Sequence, residues 1–140
     1  MGITAALVFC NLGASYGTAK SGAGLASLSV IKPSNIFRAI IPIVMAGILG
    51  IYGIIVAVLL NGLIGQSNFN AQAGYKCFAA GIIVGVSSLA AGLSIGVSGD
   101  AGIRAFAQTD EIFVPLLLIM IFSEAIALYG VIVSIIISSS

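Results

Sequence analysis

The 140-residue sequence contains no histidine, two cysteines, five basic residues and four acidic ones. Without histidine, imidazole catalysis and His-ligated metal sites are excluded. Cys10 and Cys77 lie inside apolar runs and form no C-x-x-C pair, so neither a zinc site nor a disulfide framework is expected. Charged residues make up 6% of the chain, against roughly 25% in a soluble domain. So few charges cannot coat a water-facing globule. A net charge of +1 leaves no basic footprint for nucleic acid. What the chain has instead is 60% apolar residues and 18 glycines, with a mean hydropathy of +1.25. Most of it is built to face lipid.

A helix crosses the bilayer core with about 20 apolar residues. Four spans are predicted: Gly2–Ala19, Ile36–Leu60, Ala73–Val97 and Ile112–Ile137. They pair into two helical hairpins, residues 1–62 and 73–140, and leave no room for a soluble domain. The connectors are Lys20–Asn35, Asn61–Gln72 and Ser98–Glu111. Met1–Ala19 has no basic lead-in, so it reads as a span and not as a signal peptide. It also begins at Met1 with no polar lead-in, from which a few further residues are expected ahead of Met1 in the full chain. Lys20, Lys32, Arg38 and Arg104 belong to the first and third connectors, Lys76 alone to the second. The positive-inside rule puts the first and third connectors in the cytosol, and both termini with the Asn61–Gln72 loop on the other side.

The two hairpins are related. Residues 47–56 read GILGIYGIIV and residues 124–133 read EAIALYGVIV. Tyr52-Gly53 matches Tyr129-Gly130, and Gly13–Gly17 matches Gly92–Gly96. The copies are offset by two spans and so cross in the same sense, a parallel repeat from a duplicated hairpin. Gly47 stands where the second copy has Glu124.

In the first span Gly2, Ala6, Cys10, Gly13 and Gly17 fall at helical spacing; in the third, Gly81, Gly85, Ser88, Gly92, Gly96 and Gly99 do. Gly13/Gly17, Gly81/Gly85 and Gly92/Gly96 are G-x-x-x-G pairs, which let helix backbones approach closely in lipid. One tight pair inside a monomer would account for the stripes. Because Ala79, Ala80, Ser87, Ala90 and Ala91 widen the third span's small face, a closed ring lined inside by spans one and three is the favoured reading.

Glu124 is the acidic residue within a span, near the middle of Ile112–Ile137. An ionised carboxylate at that depth costs several kcal/mol, so intramembrane acids mark ion paths. Such a group suits a carrier that loads and unloads one proton. As plain glue between helices it would be costlier than serine or asparagine. A Na⁺ ion would need several oxygen ligands. Tyr52, Ser87, Ser88, Ser94 and Ser123 make a thin shell, and spans two to four hold no Asn or Gln. A proton needs one carboxyl and one hydrogen bond, so proton is preferred over sodium. Tyr52, Ser88, Ser123 and Tyr129 are the expected hydrogen-bond or packing partners; the tyrosines could instead merely pack.

GASYGTAKS (Gly13–Ser21), IPIVMAGILGIYGIIVAV (Ile41–Val58), GLSIGVSGDAGIR (Gly92–Arg104) and IFSEAIALYGVIV (Ile121–Val133) together resemble the proteolipid c subunits of V-type (vacuolar) proton-translocating ATPases. The likeness runs through nearly the whole chain and fits the c form better than its c′ paralogue. It implies an all-α membrane fold of four transmembrane helices in two tandem hairpins, in a rotor ring that includes other copies or c-type paralogues. Glu124 matches the family's proton-carrying glutamate. The partners implied are the proton, the stator's a subunit with its arginine, central-stalk subunits on the Lys20–Asn35 and Ser98–Glu111 loops, and membrane lipid. ATP hydrolysis would occur elsewhere, no cofactor is implied, and the setting would be a vacuole or other acidic compartment. Against this stands a passive pore-forming oligomer, or a sodium-carrying ring. A pore would place its acid on the inner wall with the glycine stripes, whereas the repeat puts Glu124 on the helix class assigned to the outside.

Overall fold

The computed structural model describes residues 1–140, all of them in helices and short turns without a strand. The helices are α1 (Gly2–Ile31), α2 (Ile36–Ala39), α3 (Ile41–Ile64), α4 (Ala71–Phe106) and α5 (Phe113–Ser139), with one-turn 3₁₀ segments at Pro33–Asn35 and Asp110–Ile112. The three prolines punctuate them. Pro33 ends α1, because the residue before a proline is pushed out of the helical region; Lys32 has φ −144° and ψ 71°. Pro42 and Pro115 fall in the first turns of α3 and α5, where a missing N–H costs little. Asn70 caps α4, its side-chain oxygen accepting from the Ala73 N–H at 2.9 Å.

The segment Pro33–Ile64, α4, and the segment Asp110–Ser139 are long and apolar enough to cross a membrane. The fourth helix of the set, α1, has 30 residues, roughly 45 Å at 1.5 Å per residue. Like α4, it is rich in glycine and serine, and it packs against α4 and α3 through small residues.

Two expected connectors are corrected. Lys20–Asn35 is helical through Ile31, and Ser98–Glu111 is helical through Phe106. Lys20–Asn35 reads as loop from its glycines and serines, and Ser98–Glu111 from its charged residues. However, Ser21, Gly24 and Leu28 continue the buried face of α1, and Gly99, Ile103 and Phe106 continue that of α4. The true turns are short: Lys32–Asn35, Gly65–Asn70 and Ala107–Ile112.

The α1–α4 contact is the most extensive in the molecule, and α4 also borders α5 and α3. Buried residues of α1 fall at Gly2, Ala6, Cys10, Gly13, Gly17, Ser21, Gly24 and Leu28. Those of α4 include Cys77, Gly81, Gly85, Ser88, Gly92, Gly96, Gly99 and Ile103. Both series step by four, four and three. An 11-residue period keeps a stripe nearly parallel to a helix axis over many turns. The two stripes therefore stay in contact along the whole pair. The helices run parallel, with Gly2 on Gly81, Gly13 on Gly92 and Gly24 on Asp100.

The charged end is tied together by ion pairs. Lys32 Nζ donates to Asp110 Oδ1 at 2.8 Å, and Asn35 Nδ2 donates to the same oxygen at 2.9 Å. The first and third connectors thus share one end of the bundle. Asp100 joins α1 to α4: its carboxylate lies 3.5 Å from Lys20 Nζ and accepts from Arg104 Nε at 2.8 Å. The Arg104 hydrogen bond, assisted by the charges of Arg104 and Lys20, holds the Asp100 carboxyl below its usual range. A lowered carboxyl stabilises the folded chain above roughly pH 4, and that stability is lost as pH falls through the lowered value. Asp100→Asn is expected to remove this acid sensitivity and to cost on the order of 1 kcal/mol or less at neutral pH, since both cations are half exposed. Thermal unfolding of the detergent-solubilised protein between pH 3 and pH 7 measures it; parallel curves for the two proteins would refute the role of the pair.

Candidate functional site

Glu124 sits near the middle of α5, on the face that also carries Met120 and Ala127. Those two residues belong to an apolar cluster with Ala46 and Leu49 of α3 and Ala91 and Ile95 of α4, and Tyr52 packs against it. The carboxyl group is drawn into the cleft between these helices, and Glu124 is 8% exposed. The outer face of α5 is apolar: Phe122 is 71% exposed, and Val114, Ile119 and Ile126 also point outward.

Neither carboxyl oxygen of Glu124 has a hydrogen-bond partner, although both are buried. Tyr52 of α3 is the neighbouring polar group, near enough for its hydroxyl to interact with the carboxyl. It closes no hydrogen bond of good geometry onto either oxygen. An ionised carboxylate left uncompensated in hydrocarbon costs several kcal/mol. In this pocket only the Tyr52 hydroxyl is placed to offset part of that cost.

The other expected partners are placed elsewhere. The Ser123 hydroxyl is paired with that of Ser94 on α4 at 2.8 Å. Successive residues on a helix point about 100° apart, so Ser123 faces α4 while Glu124 faces α3. Ser88 is fully buried between α1 and α4, its hydroxyl beside the Cys10 thiol. Tyr129 is 64% exposed on the outer face. None of these three hydrogen-bonds to Glu124. Of the four expected partners, only Tyr52 is brought to the carboxyl. The Ser94–Ser123 pairing is not legible in the sequence, since a contact between serines 29 residues apart needs the register of α4 against α5.

The small residues singled out for packing all lie at helix contacts. Gly13 meets the Ser88–Leu89 backbone, Gly17 meets Ala46 and Gly92, and Gly81 meets the backbone of Gly2. Gly85 faces Ala5 and Phe9, Gly92 faces the Gly13 backbone, and Gly96 faces Tyr16 and Lys20. A Cβ added at Gly85 would come within 2.7 Å of the Ala5 carbonyl oxygen. Gly47, the first hairpin's counterpart of Glu124, lies at the surface with open space around it. The two hairpins therefore share a helical frame and differ in the acid.

The family model for the ATP synthase C subunit matches residues 1–60 and again residues 78–137. The human 16 kDa proteolipid c subunit of V-type proton ATPase is 50% identical over 139 residues, covering 99% of this chain and 89% of the relative. The V-type proton ATPase proteolipid subunit of Dictyostelium discoideum is 46% identical over 140 residues, covering 99% of this chain and 71% of the relative. The V-type proton ATPase 16 kDa proteolipid subunit of Chrysotila carterae is 50% identical over 144 residues, covering 99% and 88%. Matched along nearly its whole length, the chain belongs to the ATP synthase C-subunit family and to the proteolipid subunits of V-type proton ATPases.

Proposed function

We propose that Glu124 is the proton carrier of a rotor-ring subunit, loaded and unloaded once as each copy passes the stator. The observation that carries this reading is a single carboxyl group, buried near the middle of the apolar helix α5, with both oxygens unpartnered. A group so placed cannot hold a charge on its own. It gives up its proton when a cation is brought against it, as the family's stator arginine would do. The chain is a non-catalytic subunit of the pump, and ATP hydrolysis in the peripheral sector would turn the ring. Tandem hairpins with one acid between them mean one proton per chain. The charged end, with Lys20, Lys32, Arg38 and Arg104, is the side we assign to the cytosol and to the central stalk. A vacuole or other acidic compartment is the proposed setting.

The oxygen inventory favours a proton over sodium. The Ser123 hydroxyl is committed to Ser94, and Ser88 faces α1. Beside the carboxyl only the Tyr52 hydroxyl is left, too thin a shell for a hard cation.

A hydrophobic carbodiimide separates these readings. It partitions into lipid and reacts with protonated carboxyls. Glu124 should be labelled at neutral pH, and Asp100, Asp110 and Glu111 should be spared. Arg104 and Lys32 hold the Asp100 and Asp110 carboxyls below their usual range, so both are ionised. Peptide mapping with and without Na⁺ reads the outcome. Strong protection by Na⁺ would overturn the proton assignment, and label spread over Asp100, Asp110 and Glu111 would overturn Glu124 as the carrier.

A further inference from the structure

Glu124 lies at the edge of the buried face of α5. At 100° per residue, Leu128 and Ile121 stand about 40° and 60° further round the helix from Glu124, and they are 41% and 48% exposed. A rotation of α5 by roughly 50° about its own axis would carry the carboxyl from the cleft to the outer surface. On the opposite edge of α5 are Ser123 and Ser134, eleven residues apart and hence at nearly the same azimuth. Both are buried, at 5% and 0% exposure. Both are bonded to α4: Ser123 to the Ser94 hydroxyl at 2.8 Å, and Ser134 donating to the Ala80 carbonyl oxygen at 2.7 Å. The other serines of α4 near this seam bond within their own helix, Ser87 to the Ile83 carbonyl and Ser98 to the Ser94 carbonyl. Only Ser94 uses its hydroxyl to reach across.

We propose that the Ser94–Ser123 hydrogen bond is a positioning clasp that fixes the rotation of α5, so that Glu124 is held in the α3–α4 cleft and is presented outward only when the clasp opens. Ser134 is its second anchor. Neither serine touches the carboxyl; the clasp acts on it through the setting of the helix. Its role in transport, which rests on Glu124 being the carrier, is to keep the proton on until the copy reaches the stator.

The test measures the rate of carbodiimide modification at Glu124 in assembled rings in lipid vesicles, mapped by peptide mass. Ser94→Ala and Ser123→Ala should each raise the rate about five-fold, the worth of one ordinary hydrogen bond. The double variant should be no faster than either single one, because the two hydroxyls form one bond. Ser134→Ala should raise the rate separately, and combined with Ser94→Ala the two effects should multiply. Ser94→Thr keeps a hydroxyl and should restore the wild-type rate. Ser87→Ala and Ser98→Ala, which break only bonds within α4, should leave it unchanged. Should one single variant fail to assemble, the other carries the test. Rates for Ser94→Ala and Ser123→Ala within two-fold of wild type, or below it, in intact rings would overturn the clasp. So would equal acceleration by Ser87→Ala, which would point to general loosening. Labelling does not depend on pumping, so failure of the clasp is read separately from failure of Glu124 as carrier, which transport by Glu124→Gln decides.

Discussion

Glu124→Gln is expected to reduce ATP-driven proton uptake into vesicles to background while leaving the ring assembled. Glutamine has nearly the volume of glutamic acid and is neutral, as the acid is when it carries its proton. It therefore fits the cleft among Met120, Ala127, Leu49 and Ala91 without an uncompensated charge. It cannot release a proton, so no copy can discharge at the stator. Since every copy must pass the same point in turn, the loss is not proportional but total, more than a hundred-fold in rate, or about 2.7 kcal/mol in barrier terms. Glu124→Asp should keep a fraction of the activity, because the carboxyl survives but is withdrawn by one methylene from Tyr52 and from the cleft edge. Dye-quenching assays of acidification, run beside ring yield in detergent, separate chemistry from assembly. Uptake by Glu124→Gln at near wild-type rate would remove Glu124 from the transport path.

The transmembrane plan was legible because each of its signals is local. Nine charges in 140 residues, apolar runs of span length and a repeat with one odd acid need no tertiary information. Glu124 stood out because a carboxyl in an apolar run is costly wherever the helix faces. The helix ends were less legible. Lys20–Ile31 is rich in glycine and serine, the composition of a loop in water, but here those residues continue a stripe against α4. A residue's partner decides its structure, and a single chain of letters does not show the partner. The site's neighbours divided on the same ground. Tyr52 is legible as the oxygen-bearing side chain of the second span near the depth of Glu124. Ser88 and Ser123 share the depth range of Glu124, but azimuth, not depth, decides contact. Ser88 faces Cys10 and Ser123 faces Ser94. The Asp100 link between Lys20 and Arg104 is not legible in a stretch that reads as loop, since a helical Asp100 is what brings its carboxylate within reach of α1.

Gly92→Ala should be nearly as damaging to the ring as Gly92→Leu, although it adds one methyl group. A Cβ at Gly92 would overlap the backbone of Gly13, at its oxygen, carbonyl carbon and Cα. Backbone cannot turn aside as a flexible side chain can, so the helices must separate. The 4-4-3 stripe then loses register over several contacts, from Gly85 on Ala5 and Phe9 to Gly96 on Tyr16. Overpacking typically costs about 1–3 kcal/mol per site, and a ring repeats that cost in every copy. Gly62→Ala is the matched control. Nothing lies within 4 Å of a Cβ there, and alanine is the better helix former by up to about 1 kcal/mol, so stability should hold or rise. The yield of intact rings in detergent, followed by thermal dissociation, compares the two. At Gly85, where the obstacles are the Ala5 carbonyl and the Phe9 side chain, alanine should fall between them, because the ring of Phe9 can yield while the carbonyl cannot. Normal ring yield and normal dissociation for Gly92→Ala would mean that α1 and α4 are not pressed backbone to backbone, and that the glycine stripe is not what joins the two hairpins.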